Sequence, residues 1–276
     1  MKDFIIILSI TSFIITACSS SNYQVATIHI KGSDTMLQLT EALAREYMKE
    51  HTGVSIYVEG GGSSSGISSL INNEVDIATA SRNLKAEEAK ILAEYYGSLG
   101  MYYLIAKDAL SIYVNKDNPI KSFSVDELKK IFTCQITNWK ELGGNDKLIQ
   151  PVIRTPNSGT HLYFQEHILE GLQYCDKAVV LPTTESVIDY IDENENAIGY
   201  GGIGYKDDIV HARIDGVEAS EQTARNDKYP ITRYLHFFTS RTPKGAVKDF
   251  IDWVLTPEGQ KIIKEAGFIP LWEISY

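Results

Sequence analysis

The chain has 276 residues, 43% of them hydrophobic and 22% charged, a balance that suits one large or two moderate folded domains and excludes a largely disordered chain. A formal net charge of −10 argues against nucleic acid or an anionic membrane surface as the main partner. It does not exclude a small anion, because local dipoles rather than total charge govern such a site.

The first segment reads as a leader. Met1, Lys2 and Asp3 precede a run from Phe4 to Ile15 broken only by Ser9, Thr11 and Ser12. The run suits a signal-peptide core and is too short for a comfortable membrane span. Ile15-Thr16-Ala17-Cys18 resembles a lipobox, which implies cleavage before Cys18 and acylation of its sulfur, with palmitate among the chains expected. The alternative is an ordinary signal peptide with an incidental cysteine. Residues 1–17 are thus read as signal peptide and 18–23, with Ser19-Ser20-Ser21-Asn22, as a flexible tether.

Thr27 to Ile30 begins a strand, and Lys31 to Thr35 is a turn. A helix then runs to about Lys49 with Met36, Leu39, Leu43 and Tyr47 at helical spacing. Gly53 ends it and Val54 to Val58 is the next strand. Gly60-Gly61-Gly62-Ser63-Ser64-Ser65-Gly66 leads into a helix carrying Ile67, Leu70 and Ile71, and Asp76 to Ala78 is a short buried strand. This order predicts a parallel sheet with helices on its faces. Ala109 to Asn115 is a further strand. Ser124 to Phe132 is a helix whose Ser124 and Glu127 form a capping box. Strands at Pro151 to Arg154, Ala197 to Tyr200 and Leu235 to Thr239 follow, with helices after Asn157-Ser158-Gly159, at Lys244 to Leu255 and at Pro257 to Ala266.

Three loops share one chemistry: GSDT at 32–35, GGGSSSG at 60–66 and NSGT at 157–160. Each sets glycine and hydroxyl residues between a strand and a helix. Glycine admits close approach of backbone to a ligand, and the free N–H groups of a helix start favour an anion. In an open α/β sheet such junctions lie where ligands bind. Each loop alone also reads as a capped helix start, since Ser, Thr and Asp are common caps. None is a nucleotide phosphate loop, because no GK[ST] follows. Arg82, just after the third strand, and Arg154, just before NSGT, offer planar donor forks suited to phosphate oxygens; ordinary ion-pair roles are the alternative. The histidines show no paired metal-ligand spacing, so no metal and no cofactor is expected. Cys134 and Cys175 are open between a disulfide and two free buried thiols.

Together the segments GSDTM (32–36), YVEGGGSSSGI (57–67), DIATASRNLKAEE (76–88), TNWKELGG (137–144), PVIRTPNSGTHLYF (151–164) and AIGYGGIGY (197–205) resemble the phosphate-binding proteins of bacterial phosphate ABC transporters. The resemblance implies an α/β, two-domain periplasmic-binding-protein fold of type II, with two hinge crossovers and a ligand cleft between domains. It implies residues 24–105 and 233–276 as one domain and 106–232 as the other, with hinges near Ala106–Ala109 and Tyr229–Tyr234. The implied phosphate ligands are Thr35, the Met36 N–H, Ser63, Arg154, Ser158, Gly159 and Thr160, with Ser33, Ser64 and Ser65 beside them. Two positions depart from the family: Ser81 and Pro156 stand where some members carry aspartate. Ser81 becomes an expected direct contact and Arg82 a second cation, and selection of phosphate over sulfate loses a carboxylate that would reject fully ionised anions.

The expected function is therefore extracytoplasmic capture of inorganic phosphate by a monomer. The protein would be anchored through lipidated Cys18 and would deliver the ion to a permease and ATPase complex. Alternatives are another tetrahedral oxyanion such as sulfate or molybdate, an adhesin or sensor on the same fold, and a phosphatase-like or serine hydrolase. The last would use Ser158 with His161, but no GxSxG elbow appears, so no catalytic residue is assigned.

Overall fold

The β-α-β-α-β order expected of the first eighty residues is present. The computed structural model describes residues 25–205 and 209–273. The expected signal peptide, Cys18 and the tether lie outside the described residues. Strand β1 (Ala26–Gly32) buries Ile28 and Ile30 and turns His29 outward, the alternation of a strand with one covered face. Helix α1 (Leu37–Glu50) buries Leu39, Leu43 and Tyr47 in the same core. Strand β2 (Val54–Glu59) and, after helix α2 (Ser63–Ile71), strand β3 (Ile77–Ala80) flank β1 in parallel, with Ala26 opposite Val54 and Ile30 opposite Ile77. All of β3 is buried, as suits a strand covered on both faces.

Helix α3 (Ala86–Tyr96) is not among the expected elements. Glu87 and Glu88 complement its N-terminal dipole, and Gly97 ends it at φ 62°, where a side chain would be strained. It fully buries only Leu92, so its apolar pattern is faint.

Strand β4 (Met101–Asn115) starts well before the expected Ala109. It is followed by β5 (Ser122–Phe123), α4 (Val125–Phe132), β6 (Gln150–Arg154), α5 (Gly159–His167), β7 (Val179–Leu181), α6 (Thr184–Glu193), β8 (Ala197–Gly202), β9 (Ile209–Ile214), α7 (Glu221–Arg225), β10 (Thr232–Thr239), α8 (Gly245–Val254) and α9 (Pro257–Glu265). The Ser124–Glu127 capping box forms: the Ser124 hydroxyl accepts the Glu127 N–H at 3.1 Å, and the Glu127 carboxylate accepts the Ser124 N–H at 2.7 Å.

The sheet order is β2-β1-β3-β10-β4-β8-β6-β7. The parallel expectation holds for β1, β2 and β3, but β10 lies antiparallel between β3 and β4. Met101 to Ala109 of β4 pairs with β10. From Leu110 the same strand pairs with β8, and from Ile112 also with β9. One sheet thus passes from one half of the molecule to the other along β4 and β10, where the expected crossing segments lie. Asp108 and Arg233 form a fully enclosed ion pair there, the Arg233 Nε donating to Asp108 Oδ2 at 2.9 Å. Ile28, Leu43, Phe237 and Phe250 belong to the core of the first half; Ile112, Phe132, Phe164 and Tyr200 belong to that of the second. Each such side chain contributes about 1.5–3 kcal/mol on burial.

Cys134 and Cys175 are joined in a disulfide with Cα atoms 5.2 Å apart, which decides the alternative that the sequence leaves open. No helix among the described residues is long and apolar enough to cross a membrane.

Candidate anion-binding site

The three glycine–hydroxyl loops meet between the two halves of the sheet. The first leaves β1 at Gly32, and the Ser33 N–H is held by Thr79 through both its carbonyl (3.0 Å) and its hydroxyl (2.8 Å). A 3-10 turn, Asp34–Met36, then feeds α1. The second enters α2 through Gly62 at φ 91°, whose N–H donates to the Gly32 carbonyl at 2.8 Å. The third starts α5 with Ser158 as cap. Arg154 ends β6 just before it, and Ser81 follows β3. Three helix starts therefore direct N–H groups toward one place.

The loops touch across the cleft. Thr35 Oγ1 and Thr160 Oγ1 are 2.8 Å apart. The Asn157 side chain donates to the Gly61 carbonyl at 2.7 Å, and the Ser64 N–H donates to the Asn157 carbonyl at 3.1 Å. Gly159 packs so closely on the first half that a Cβ there would sit 2.7 Å from Ser81 Oγ and would collide with Ser63 Oγ. The Ser63 hydroxyl in turn accepts the Ser81 N–H at 3.2 Å. Thr35, Ser63, Ser81, Ser158, Gly159 and Thr160 are all buried, with Ser63, Ser81 and Thr160 at 0% exposure.

Arg154 is 1% exposed and heavily held. Its Nη1 donates to Thr184 Oγ1 at 2.9 Å; its Nη2 donates to Asp34 Oδ2 and to the Pro182 carbonyl, each at 2.7 Å. Its Nε and the Ser81 hydroxyl have no hydrogen-bond partner within the protein, although both are buried. An unpartnered buried donor costs about 1–3 kcal/mol, more when charged, and native folds keep few. Two of them at the meeting point of three helix starts form a donor set for an enclosed oxyanion.

A layer behind the site fixes Arg154. The carbonyl of Arg154 accepts from His161 Nδ1 at 2.7 Å, which sets the imidazole tautomer. Burial pushes the His161 pKa down; the Arg154 carbonyl bond opposes this, and the Arg154 charge adds to it. Tyr200 accepts the Arg154 N–H and donates to Tyr174, which donates to the His161 carbonyl. Burial raises the pKa of both phenols and keeps them neutral.

The other expected contacts are placed differently. The Met36 N–H donates to the Ser33 carbonyl within the 3-10 turn at 2.9 Å. Ser33 is buried beside Thr79 through its backbone. Arg82 turns to Glu88, with contacts at 2.8 and 2.7 Å, and donates to Ser64 Oγ at 3.0 Å. The Ser64 hydroxyl thereby accepts a charged donor and keeps its own proton to give.

Sequence reasoning misses Asp34, Thr184 and Tyr205. Asp34 accepts from Arg154 and, through Oδ1, from the Gly61 N–H at 2.8 Å. The Tyr205 hydroxyl donates to the Asp34 carbonyl at 2.8 Å. The available signal was an acid placed inside a loop read as anion-binding, where it calls for a cationic partner.

Known proteins resemble this chain in sequence and fold. A family profile described as the PBP superfamily domain matches residues 18–258. The Phosphate-binding protein PstS of Bacillus subtilis is 33% identical over 251 residues, covering 89% of this chain and 81% of the relative. This chain belongs to the phosphate-binding protein family. The PstS of Pseudomonas aeruginosa is 31% identical, covering 87% of this chain and 81% of the relative. Among solved structures, a Clostridium perfringens protein, assigned as a phosphate ABC transporter substrate-binding protein and holding phosphate, superposes with TM-score 0.83 at 32% identity, covering 89% of this chain and all of that one. An ABC-type phosphate transport receptor from Vibrio cholerae superposes with TM-score 0.72 at 27% identity, covering 88% and 99%. The α/β architecture is that of the type II binding-protein fold.

Proposed function

We propose that this protein captures inorganic phosphate outside the cytoplasm and delivers it to an ABC transporter permease. The observation that carries this reading is the enclosed donor set: the Arg154 Nε, the Ser81 hydroxyl, and the hydroxyls of Thr35, Ser63 and Thr160, brought together by three helix starts. Neutral donors and one arginine suit a tetrahedral oxyanion, which offers acceptor sites in every direction. Ser158 and the Gly159 N–H complete the set on the α5 side, and Ser64 with Arg82 forms its outer edge.

Capture requires motion, because the contacts of Thr35 with Thr160 and of Asn157 with Gly61 close the site. We assign residues 24–105 with 233–276 to one moving body and 106–232 to the other, hinged on β4 and β10. Closure then shifts the population toward the ligand-bound form. We further assign Cys18 as the lipid-bearing residue that holds a monomer at the membrane; incorporation of a clickable palmitate analogue, lost in Cys18→Ser, tests this.

The function is tested by titration calorimetry on protein unfolded, stripped of anion and refolded. Phosphate gives heat at micromolar concentration, and sulfate and molybdate give little. Absence of phosphate heat, or preference for molybdate, overturns the assignment.

A further inference from the structure

We propose that the end of the first half remote from the cleft is a membrane-contact surface, on which Ile91, Tyr95, Leu99, Met101 and Tyr102 rest against the bilayer that holds an acylated Cys18. The inference rests on the reading that Cys18 carries lipid.

Single apolar side chains on a protein surface are ordinary, whereas a cluster of them calls for a partner. Among the described residues twelve large hydrophobic side chains are exposed, and five of these fall between positions 91 and 102. Tyr95, Leu99 and Tyr102 are the most open of the five, at 73%, 66% and 65%. Ile91 and Tyr95 stand four positions apart on α3 and so share a face. The chain then reverses through Gly97 and Gly100, both at positive φ, and enters β4 with Met101 and Tyr102. The segment is held firmly. The Tyr96 hydroxyl donates to the Ile71 carbonyl at the end of α2 at 2.7 Å. A Cβ on Gly100 would stand 3.1 Å from Leu92 Cδ1 and 3.2 Å from the Thr239 carbonyl, so the turn packs on both α3 and the end of β10.

The sheet places this cluster at the edge where the described chain begins. β1 is parallel to β3, β10 is antiparallel to β3, and β4 is antiparallel to β10. β1 and β4 therefore run the same way and start at the same edge, three strand spacings or about 15 Å apart. The loops that form the anion site leave β1 and β3 at the opposite edge. Val25 stands seven positions after Cys18. Seven residues span at most about 25 Å. An acyl chain on Cys18 thus keeps a bilayer within that distance of the edge that carries the cluster, with the cleft turned away from the headgroups.

The side chains suit that boundary. Tyr95 and Tyr102 each join an apolar ring to a polar tip, as residues at a headgroup level do. Arg241 and Lys244 follow β10 at the same edge, and the Arg241 guanidinium lies over the Tyr96 ring at 5.2 Å. They add a local positive rim that favours anionic headgroups. Lys90 and Glu94 of α3 pair with each other at 3.9 Å. The net charge of −10 opposes a general attraction to such a surface, so the contact depends on the tether and on apolar insertion together.

The test uses the full-length lipidated protein in vesicles of phosphatidylcholine and phosphatidylglycerol, with a nitroxide label on Leu99→Cys or, as a control in the second half, on Leu148→Cys. Collisions of each label with oxygen and with a water-soluble nickel complex are measured. The label at 99 is expected to lose nickel collisions and gain oxygen collisions relative to the label at 148. In Cys18→Ser protein, free in solution, the two labels should be equally open to nickel. Tyr95→Asp with Tyr102→Asp, both at exposed positions, should restore nickel collisions at 99 and leave phosphate heat unchanged. Vesicle-bound protein whose label at 99 is as open to nickel as that at 148 overturns this inference alone. So does a label at 99 that stays shielded in soluble Cys18→Ser protein, where a second copy would be the cover, or in the doubly charged variant. Wild-type protein that takes up no acyl chain and stays in solution overturns the anchoring reading and this inference with it.

Discussion

Gly159→Ala is the sharpest probe of the assembled site. The added methyl would stand 2.7 Å from Ser81 Oγ and closer still to Ser63 Oγ, while its own helix backbone tolerates alanine well. The two hydroxyls or the α5 start must move apart. Overpacking of this kind costs about 1–3 kcal/mol, and displacing one hydroxyl from an anion loses a further ~1.5–3 kcal/mol. We expect phosphate affinity to fall by at least about 100-fold, near 3 kcal/mol. Gly216→Ala is the control. Its Cβ meets nothing within 4 Å, but its φ of +76° makes alanine strained. It should lose about 1 kcal/mol of stability with phosphate affinity unchanged. Calorimetry and urea unfolding on both variants separate the two effects. Full phosphate affinity in Gly159→Ala would refute the claim that these three loops form one enclosed pocket.

Arg154→Ala leaves Asp34 buried without its cation and should cost about 3–5 kcal/mol in urea unfolding. Adding Asp34→Ala should recover part of that stability but no phosphate heat. Replacing Cys134 and Cys175 by serine opens a loop of sequence separation 41 and should cost about 4 kcal/mol, read as a lower urea midpoint. Burial lowers the His236 pKa to about 4. The unfolded chain, with an ordinary value near 6.5, therefore binds more protons between those limits. Stability should rise with pH from about 4 to about 6.5 and be lost on acidification, by roughly 3 kcal/mol from this residue. His236→Gln should flatten that slope in unfolding curves taken across the range, leaving the part due to His161, which is shifted in the same direction.

The first half of the fold was legible because its signals are local. Ile28 and Ile30 alternate, Leu39, Leu43 and Tyr47 share a helix face, and Ser124 with Glu127 marks a helix start three residues apart. The three loops were legible for the same reason: glycine and hydroxyl residues at strand–helix junctions carry their chemistry in four to seven consecutive residues. What failed to show was non-local or weakly patterned. β10 enters between β3 and β4 from more than a hundred residues downstream of β4, so antiparallel pairing in a sheet that begins parallel has no local mark. Helix α3 fully buries one residue, and β7 has three residues, none of them fully buried. Asp34 and Arg154 lie 120 positions apart, and the pair appears only once the sheet has set both loops at one cleft. Arg82 shows a second non-local partner that spacing does not reveal. Its position beside Ser81 suggests a ligand contact, and Glu88, six residues on at the start of α3, also holds its two terminal nitrogens while its Nε keeps no protein partner.

The central claim is an oxyanion held among Thr35, Ser63, Ser81, Arg154, Ser158 and Thr160. A crystal structure of the protein with phosphate tests it most directly. The account predicts one tetrahedral anion, enclosed, within hydrogen-bond distance of the Arg154 Nε and the Ser81 hydroxyl, two buried donors that lack a protein partner. A cleft without an anion at saturating phosphate, or an anion bound elsewhere, would contradict it.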